Sequence, residues 1–267
     1  MNTKMIIGQY YPGHSVIHNL DARVKLVGTF FLIISLFFAD NFKGYAAAAL
    51  FLAATIFLSH VPPRFMLKGL KSITFIIIFA AFLNIFLTPG ENVIFSFYFL
   101  RFTMEGLIIA VKMTLRFTLL IVASSLLTLT TSPIQMTDAI EYLLKPLKKI
   151  KVPAHELAMM MAIALRFIPT LLEEMDKIMK AQMARGADFE TGGLYKRAKS
   201  LIPLLVPLFI SAIRRADELA DAMDARCYRG DSNRTKMKAM KIKACDYYAI
   251  GCVAVYGLAI ILASIIL

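Results

Sequence analysis

The sequence contains few cysteines, and their positions do not match the sites that cysteine usually forms. There are only three, Cys227, Cys245 and Cys252. They form no Cys-x-x-Cys pair and no Cys/His cluster with metal-ligand spacing, so neither a disulfide framework nor a zinc site is indicated. The four histidines are also scattered. His14 and His18 are four residues apart, but Pro12 and Gly13 argue against a helix that would present them as a metal-binding pair.

A phosphate-binding loop is also missing from the sequence. None of the 13 glycines belongs to a Gly-x-x-x-x-Gly-Lys-Ser/Thr motif, which is the usual backbone cradle for nucleotide phosphates. The acidic residues Glu173, Glu174 and Asp176 lie beside Lys177 and Lys180 on a predicted helix, where solvated ion pairs are favoured over catalysis. We therefore predict that the chain by itself is not an enzyme and holds no metal or other cofactor.

Acidic residues are scarce relative to basic ones, with 18 Asp and Glu against 30 Lys and Arg and a net charge of +12. Hydrophobic residues make up 58% of the chain, and the mean hydropathy is +0.67. One soluble core of this length would not normally bury so much apolar surface, and the apolar residues fall in blocks. We interpret the chain as an all-α, multispanning membrane protein whose basic residues lie mainly on one side of the bilayer.

Five apolar blocks, each bounded by charge, proline or glycine, predict membrane spans. They are Leu26 to Ala39, Tyr45 to Val61, Ile73 to Leu87, roughly Met104 to Leu129, and Tyr247 to Leu267. Several of these runs are shorter than the roughly 20 residues that cross a bilayer upright, so their ends need flanking residues or a locally thinned membrane.

The charges that flank the blocks predict the orientation. Basic residues precede the first block, separate the second from the third and follow the fourth: Arg23, Lys25, Arg64, Lys68, Lys71, Lys145, Lys148, Lys149 and Lys151. The positive-inside rule then places the N-terminus in the cytoplasm and the C-terminus outside. The predicted domains are residues 1–131 with four spans, a cytoplasmic domain over 132–243, and a C-terminal span over 244–267.

Two features of the membrane region leave alternatives open. The aromatic stretch from Asn92 to Phe102 fits either a re-entrant piece at the outer face or an interfacial loop. Lys112 and Arg116 lie one helical turn apart in the fourth span. Charges at that depth rarely face lipid, so they either line a transport path or bond to carbonyl groups of neighbouring helices.

The cytoplasmic domain is predicted to contain two long helices. One runs from Ala154 to about Arg185, where Gly186 is placed to end it, and the other from Leu194 to about Arg226. At about 1.5 Å per residue, each would be about 45 to 50 Å long. Prolines within these patterns are expected to kink the helices: Pro169, Pro203 and Pro207.

Each long helix carries an apolar stripe at helical spacing. The stripe on the second helix includes Leu205, Phe209 and Met223, and methionine is frequent on both helices. Methionine is flexible and polarizable, so such a face suits more than one partner, although packing between the two helices explains it equally well. The residues predicted to form a partner surface are Met159, Met160, Phe167, Leu171, Met175, Met179, Leu205, Phe209 and Met223.

Both long helices end in nearly the same phrase. The first ends in Ala181-Gln182-Met183-Ala184-Arg185-Gly186 and the second in Ala222-Met223-Asp224-Ala225-Arg226-Cys227. An arginine at a helix end between small residues allows a partner surface to approach closely and offers it five donors in a fixed geometry. Two such phrases predict two similar docking sites.

These residues resemble a known family, the transmembrane T component (EcfT family) of energy-coupling factor transporters, which are ATP-driven importers of vitamins and other micronutrients. The resemblance covers essentially the whole chain. Its motifs are Tyr11-Pro12-Gly13-His14-Ser15, His18, Asp21-Ala22-Arg23-Val24-Lys25, Thr130-Thr131-Ser132-Pro133, Ala164-Leu165-Arg166-Phe167-Ile168-Pro169, and the two Ala-Arg phrases. Ala184-Arg185-Gly186 matches the family's Ala-Arg-Gly motif in full, whereas Cys227 replaces the glycine after Ala225-Arg226.

The resemblance implies a scaffold in the cell membrane of a prokaryote that joins two ABC-type ATPase subunits to one or more substrate-binding membrane proteins, the S components. In that family the long cytoplasmic helices are coupling helices, and the Ala-Arg-Gly arginines dock into the ATPases. ATP is then bound by the partner subunits. By position, Ala184, Arg185 and Gly186 would enter one ATPase and Ala225, Arg226 and Cys227 the other, while the methionine-rich surface would seat the S component.

Two alternatives belong to other functional classes. A self-sufficient permease or channel would use Lys112 and Arg116 to guide an anion, and it predicts flux through vesicles that contain this chain alone. A basic, membrane-anchored adaptor would bind anionic lipid or nucleic acid through its net charge of +12. Arg185 and Arg226 lie outside any dense basic run, so we expect partners in the lipid membrane and no nucleic acid.

Overall fold

The protein is described by a computed structural model over residues 10–39, 41–88, 93–97, 100–150, 153–187, 189, 193, 195, 199–228, 230, 240 and 242–265. The helices are α1 (Val16–Asn19), α2 (Ala22–Phe38), α3 (Phe42–Ser59), α4 (Pro63–Leu87), α5 (Met104–Thr130), α6 (Pro133–Leu144), α7 (Ala154–Ala184), α8 (Ile202–Ala225) and α9 (Ala244–Ile265), with a 3₁₀ helix at Lys145–Ile150. Two short strands, β1 (Val93–Phe97) and β2 (Leu100–Thr103), form an antiparallel pair. The predicted all-α class is confirmed, with this hairpin as the addition.

The chain divides into two compact units. One unit lies within Met1–Ala139 and Lys238–Leu267, and the other comprises Ile140–Met237. The first unit contains α2, α3, α5 and α9, whose buried side chains form one apolar core: Leu32, Leu36, Ala39, Tyr45, Ala48, Leu52, Leu119, Ala123, Tyr256 and Ile260. Small residues let these helices approach closely, as lipid-embedded helices commonly do. A Cβ on Gly257, for example, would lie 2.7 Å from the Phe31 ring.

The helices start earlier than the apolar blocks predict. The third span is predicted from Ile73, but α4 begins at Pro63 and is 25 residues long. Proline at the first helical position is already set for the helical φ, and no further proline follows before Leu87. Arg64, Lys68 and Lys71 therefore lie on the first turns of a helix, not in a loop. Charge ends an apolar run, but it does not end a helix.

Among the described residues, four helices are long and apolar enough to cross a membrane by length and composition: α3, α4, α5 and α7. Helix α2 is shorter, with 17 residues, and α9 runs over 22 residues from Ala244 to Ile265. Composition alone does not separate α7, predicted to be cytoplasmic, from the membrane spans. Five of its seven acidic and basic residues lie in its second half, namely Glu173, Glu174, Asp176, Lys177 and Lys180, whereas only Glu156 and Arg166 lie in the first half.

The aromatic stretch between α4 and α5 and Arg116 of α5 also have defined positions. The segment between α4 and α5 contains the hairpin, in which Phe95 pairs with Phe102 and Phe97 with Leu100. Arg116 donates a hydrogen bond to the Ala39 carbonyl at 3.3 Å and lies over the rings of Phe37 and Tyr45. This contact agrees with the structural interpretation of Arg116, in which the guanidinium bonds to a neighbouring helix.

The second long helix is interrupted at Leu201. Its predicted start, Leu194, lies outside the described residues; Tyr195, Lys199 and Ser200 are helical, Leu201 forms a turn, and α8 runs from Ile202 to Ala225. Pro203 therefore lies in the first turn and does not kink a helix interior, because a proline there sacrifices no hydrogen bond. Pro169 and Pro207 do lie inside α7 and α8. With 24 residues, α8 is about 36 Å long.

Candidate functional site

The two Ala-Arg phrases form the C-terminal ends of α7 and α8. At the end of α7, the Gly186 N–H donates to the Met183 carbonyl at 2.9 Å, and the Ala187 N–H donates to the Gln182 carbonyl at 3.0 Å. This pair of bonds defines a Schellman motif, which needs a left-handed residue directly after the helix. Gly186 supplies it with a φ of 86°. Glycine therefore ends α7 as the sequence predicts.

The end of α8 has the same geometry without a glycine. The Cys227 N–H donates to the Asp224 carbonyl at 2.8 Å, and the Tyr228 N–H donates to the Met223 carbonyl at 3.1 Å. Cys227 itself adopts a φ of 54°. The preceding arginines match closely, with φ −87° and ψ 8° at Arg185 and φ −91° and ψ 11° at Arg226. Replacement of glycine by cysteine leaves the turn unchanged.

Both arginines are exposed, and so are the alanines that precede them, Ala184 and Ala225. Within the described ranges, neither guanidinium forms a hydrogen bond or an ion pair with the chain. Because the small alanine side chains leave the helix end uncovered, each exposed guanidinium and its five donors are accessible to another protein. The two ends are chemically similar and equally open.

Cys227 gives a direct test of the turn. We expect Cys227→Gly to stabilise the end of α8 by about 1 kcal/mol, because glycine has no Cβ to clash at a positive φ. Hydrogen exchange of the Tyr228 amide, which bonds across the turn, should then slow by about fivefold. The matched change Gly186→Ala should instead speed exchange of the Ala187 amide. Equal exchange in Cys227→Gly and the parent protein would contradict the strain assigned to this position.

A carboxylate joins the two long helices. Glu174 of α7 accepts a hydrogen bond from the Ser211 hydroxyl at 2.5 Å and one from the Arg215 guanidinium at 3.0 Å, both on α8. The sequence predicts solvated ion pairs within α7 for this residue, so the observed partners correct that interpretation. Helical spacing shows Lys177 as a neighbour of Glu174, but it gives no information about which residues of α8 lie opposite.

The predicted partner surface is only partly assembled. Leu171 of α7 meets Leu205 and Phe209 of α8 in an open apolar groove of about 440 Å³. Phe209 is 67% exposed and Leu205 is 59% exposed. The remaining lining residues are Val206, Leu208, Ile210 and Ala212. Val206, Leu208 and Ile210 are not among the predicted surface residues, because the start of α8 is apolar on every face and no single stripe stands out there.

The other predicted surface residues divide by exposure. Met160 is exposed, whereas the rest are half-buried: Met159, Phe167, Met175, Met179 and Met223. Half-burial is what packing along and between α7 and α8 produces, and it still leaves part of each side chain accessible. The half-buried methionines are therefore less exposed to solvent than Leu205 and Phe209.

A buried polar cluster near the N-terminus was not predicted as a site. Arg23 and Lys25, interpreted from the sequence as topology signals, are both buried, and so is Asp246. His18 donates from Nε2 to the Tyr11 carbonyl at 3.0 Å, so its Nδ1 accepts from the Ser15 hydroxyl at 2.7 Å. Burial of the imidazole lowers the pKa of His18, and the bond to Tyr11 opposes this shift. Within the described part of the chain, no three potential ligands group into a metal site.

Known proteins match this chain over nearly its whole length. The family model CbiQ, described as a cobalt transport protein, matches residues 13–237. The energy-coupling factor transporter transmembrane protein EcfT of Ruminiclostridium cellulolyticum is 56% identical over 250 residues, which cover 94% of this chain and 93% of that protein. The EcfT of Clostridium kluyveri is 56% identical over 250 residues, covering 93% of each chain. The EcfT of Bacillus subtilis is 50% identical over 240 residues, covering 90% of this chain and 91% of its own length.

These matches confirm the resemblance that rests on the N-terminal motifs and the Ala-Arg phrases. Identities of this size over at least nine-tenths of both chains extend through the membrane helices and the region that contains α7 and α8. The chain is a membrane protein of a transporter, and it belongs to the family of transmembrane components of energy-coupling factor transporters.

Proposed function

We propose that this chain is the scaffold of an ATP-driven importer, which passes movement from two cytoplasmic ATPase subunits to a membrane S component that carries the substrate. One observation carries the proposal: α7 and α8 end in the same turn, and each turn presents an exposed arginine between a small residue and a left-handed residue. Two equivalent ends suit two equivalent partners, as a pair of ATPase subunits provides.

Arginine suits this docking role for a physical reason. Its planar guanidinium keeps its charge and offers donors in fixed directions, so it binds carboxylates and carbonyl groups in a partner groove with defined geometry. We assign Ala184, Arg185 and Gly186 to one ATPase and Ala225, Arg226 and Cys227 to the other. The left-handed residue turns the chain sharply away after each arginine, which leaves the helix tip free to enter a groove.

Transmission of movement requires stiff elements, and the second unit contains them. Helix α7 is 31 residues long, which corresponds to about 46 Å. Its bond through Glu174 to Ser211 and Arg215 fixes its position along α8. A displacement received at Arg185 or Arg226 is therefore carried by two joined helices and is not lost in one flexible loop.

The S component is assigned to the apolar groove and its surroundings. Leu171, Leu205 and Phe209 supply an open apolar surface, which soluble proteins seldom leave uncovered. Met159, Met160, Phe167, Met175, Met179 and Met223 complete the proposed surface. Methionine adapts to different shapes, so the surface suits S components of more than one sequence. The N-terminus and residues 132–243 are assigned to the cytoplasm and the C-terminus to the outside, in the cell membrane of a prokaryote.

The composition of the native assembly tests this proposal. A tagged copy of the full chain, isolated from its own membranes, is expected to carry two P-loop ATPase subunits and at least one small membrane protein, all identified by mass spectrometry. Vesicles that contain the chain alone should pass neither chloride nor phosphate. Anion flux through such vesicles would instead support a permease that uses Lys112 and Arg116, and isolation of the chain without ATPases would contradict the proposed scaffold.

A further inference from the structure

The N-terminal segment, residues 10–25, bonds to the end of α5, where the chain leaves the last span before α6. The Lys25 ammonium donates to the Thr130 carbonyl at 2.9 Å and to the His18 carbonyl at 3.0 Å. The Tyr11 N–H donates to the Leu129 carbonyl at 2.9 Å. Helices leave their last carbonyl groups unpaired and carry partial negative charge there, so a cation and an N–H group satisfy the end of α5.

The same segment bonds to the start of α9, where the chain returns to the membrane unit. The Asp246 carboxylate is 1% exposed and accepts the Asp21 N–H at 2.8 Å and the Lys243 N–H at 2.7 Å. Arg23 pairs with Asp21 at 2.7 Å and also reaches the Met240 carbonyl at 3.4 Å. Residues 21–23 therefore hold the chain on both sides of Lys243.

These contacts lie at the two places where the chain enters and leaves the second unit. The chain enters residues 140–237, the second unit, after Thr130 and leaves this unit before Asp246. Both connections are bonded to one segment of about 15 residues through buried charged groups. Burying a charge is costly unless it is fully hydrogen-bonded, so such groups hold defined positions and do not exchange partners freely.

We propose that Lys25 and Asp246 are positioning residues that fasten both chain connections of the second unit to the N-terminal segment, so that the two connections keep a fixed separation. The role in transport rests on the proposed function, because only a unit that receives movement needs connections of fixed position. Loss of either residue leaves the docking arginines intact but allows the two connections to move independently. Movement received at the docking arginines is then absorbed at the connections.

Spin labels test the fastening directly. The three exposed cysteines are replaced by serine, and labels are placed on the full chain at Ile134 and Ile242, which are exposed and lie beside the two connections. Pulsed electron spin resonance then gives the distribution of distances between the labels. We expect a narrow distribution in the parent protein and a broader one in Lys25→Met and in Asp246→Asn. Lys68→Met, which removes an exposed lysine, serves as the matched control and should stay narrow.

The conservative variant separates positioning from general loss of structure. Asp246→Glu keeps both acceptor oxygens, so it should restore a distribution close to that of the parent, and with Asp246→Asn it decides the question if Lys25→Met cannot be purified. In the assembled transporter, Lys25→Met and Asp246→Asn should retain the ATPase subunits while the substrate moved per ATP hydrolysed falls several-fold.

Failure of the proposed fastening and failure of the proposed function give different results. Narrow distributions in both Lys25→Met and Asp246→Asn would overturn the fastening, whatever the transport assay shows. If the parent chain is isolated without ATPase subunits, the proposed function fails, but the label distances still decide whether the N-terminal segment holds the two connections.

Discussion

Replacing both Arg185 and Arg226 with glutamate is expected to strip the ATPase subunits from the purified complex while the chain stays in the membrane. Each arginine is exposed and has no partner of its own within the described residues, so its charge is available to a partner groove. Reversing a charge that is buried on docking costs about 2 kcal/mol or more, or about 30-fold in affinity for each site. ATPase recovery and ATP-driven uptake measure the effect.

Arg214→Glu is the matched control for this double substitution. Arg214 is also an exposed arginine on α8, but it lies three turns before the helix end. The control should therefore keep both ATPases, since no docking role is assigned to that position. Each single change, Arg185→Glu or Arg226→Glu, should weaken retention less than the double change. Full complex formation and full uptake in the double variant would contradict the docking assignment.

Polar substitution in the apolar groove is expected to release the S component and leave the ATPases bound. Leu205→Asp combined with Phe209→Asp places two charges on the most exposed part of the groove, where docking of an apolar surface would bury them. We expect S-component recovery to fall by at least tenfold. Polar replacements at Met175, Met179 and Met223 should act in the same direction but more weakly, because these side chains are half-buried.

Ile213→Asp provides the comparison for the groove. Ile213 is an exposed apolar residue on the same face of α8, one turn beyond Phe209, and it is not part of the groove lining. A charge there should leave S-component recovery near that of the parent. Equal loss of ATPases and S component in the groove variant would indicate misfolding of the second unit, and selective loss in Ile213→Asp would move the proposed surface beyond the groove, toward the C-terminal end of α8.

Sequence alone predicted the features that depend on local pattern. The all-α class follows from long apolar blocks, and the helix end at Arg185 follows from Gly186, whose preference for positive φ marks the end of a helix. The second end at Arg226 was predicted from its repeat of the first phrase, although Cys227 gives no such signal by itself. Similar neighbours produced the same pair of hydrogen bonds at both ends.

Features that depend on distant partners were not predicted. Lys25 bonds to a carbonyl 105 positions away and Asp21 to a carboxylate 225 positions away, and no periodic pattern encodes such pairs. Arg23 and Lys25 precede the first predicted span, where the positive-inside rule expects basic residues in any case. Their burial could therefore not be inferred from their charge. Glu174 likewise has plausible partners on its own helix, and only the packing of α7 against α8 selects Arg215.

The contact at Glu174 has a geometric consequence for the two arginine-bearing tips. Ser211 and Arg215 are one turn apart, and both bond the same carboxylate, which resists rotation of α8 about its own axis relative to α7. From this contact to each tip the chain advances the same 11 residues, Glu174 to Arg185 and Arg215 to Arg226, or about 16 Å. The two arginine-bearing tips therefore lie at equal helical distances from the contact that joins α7 to α8.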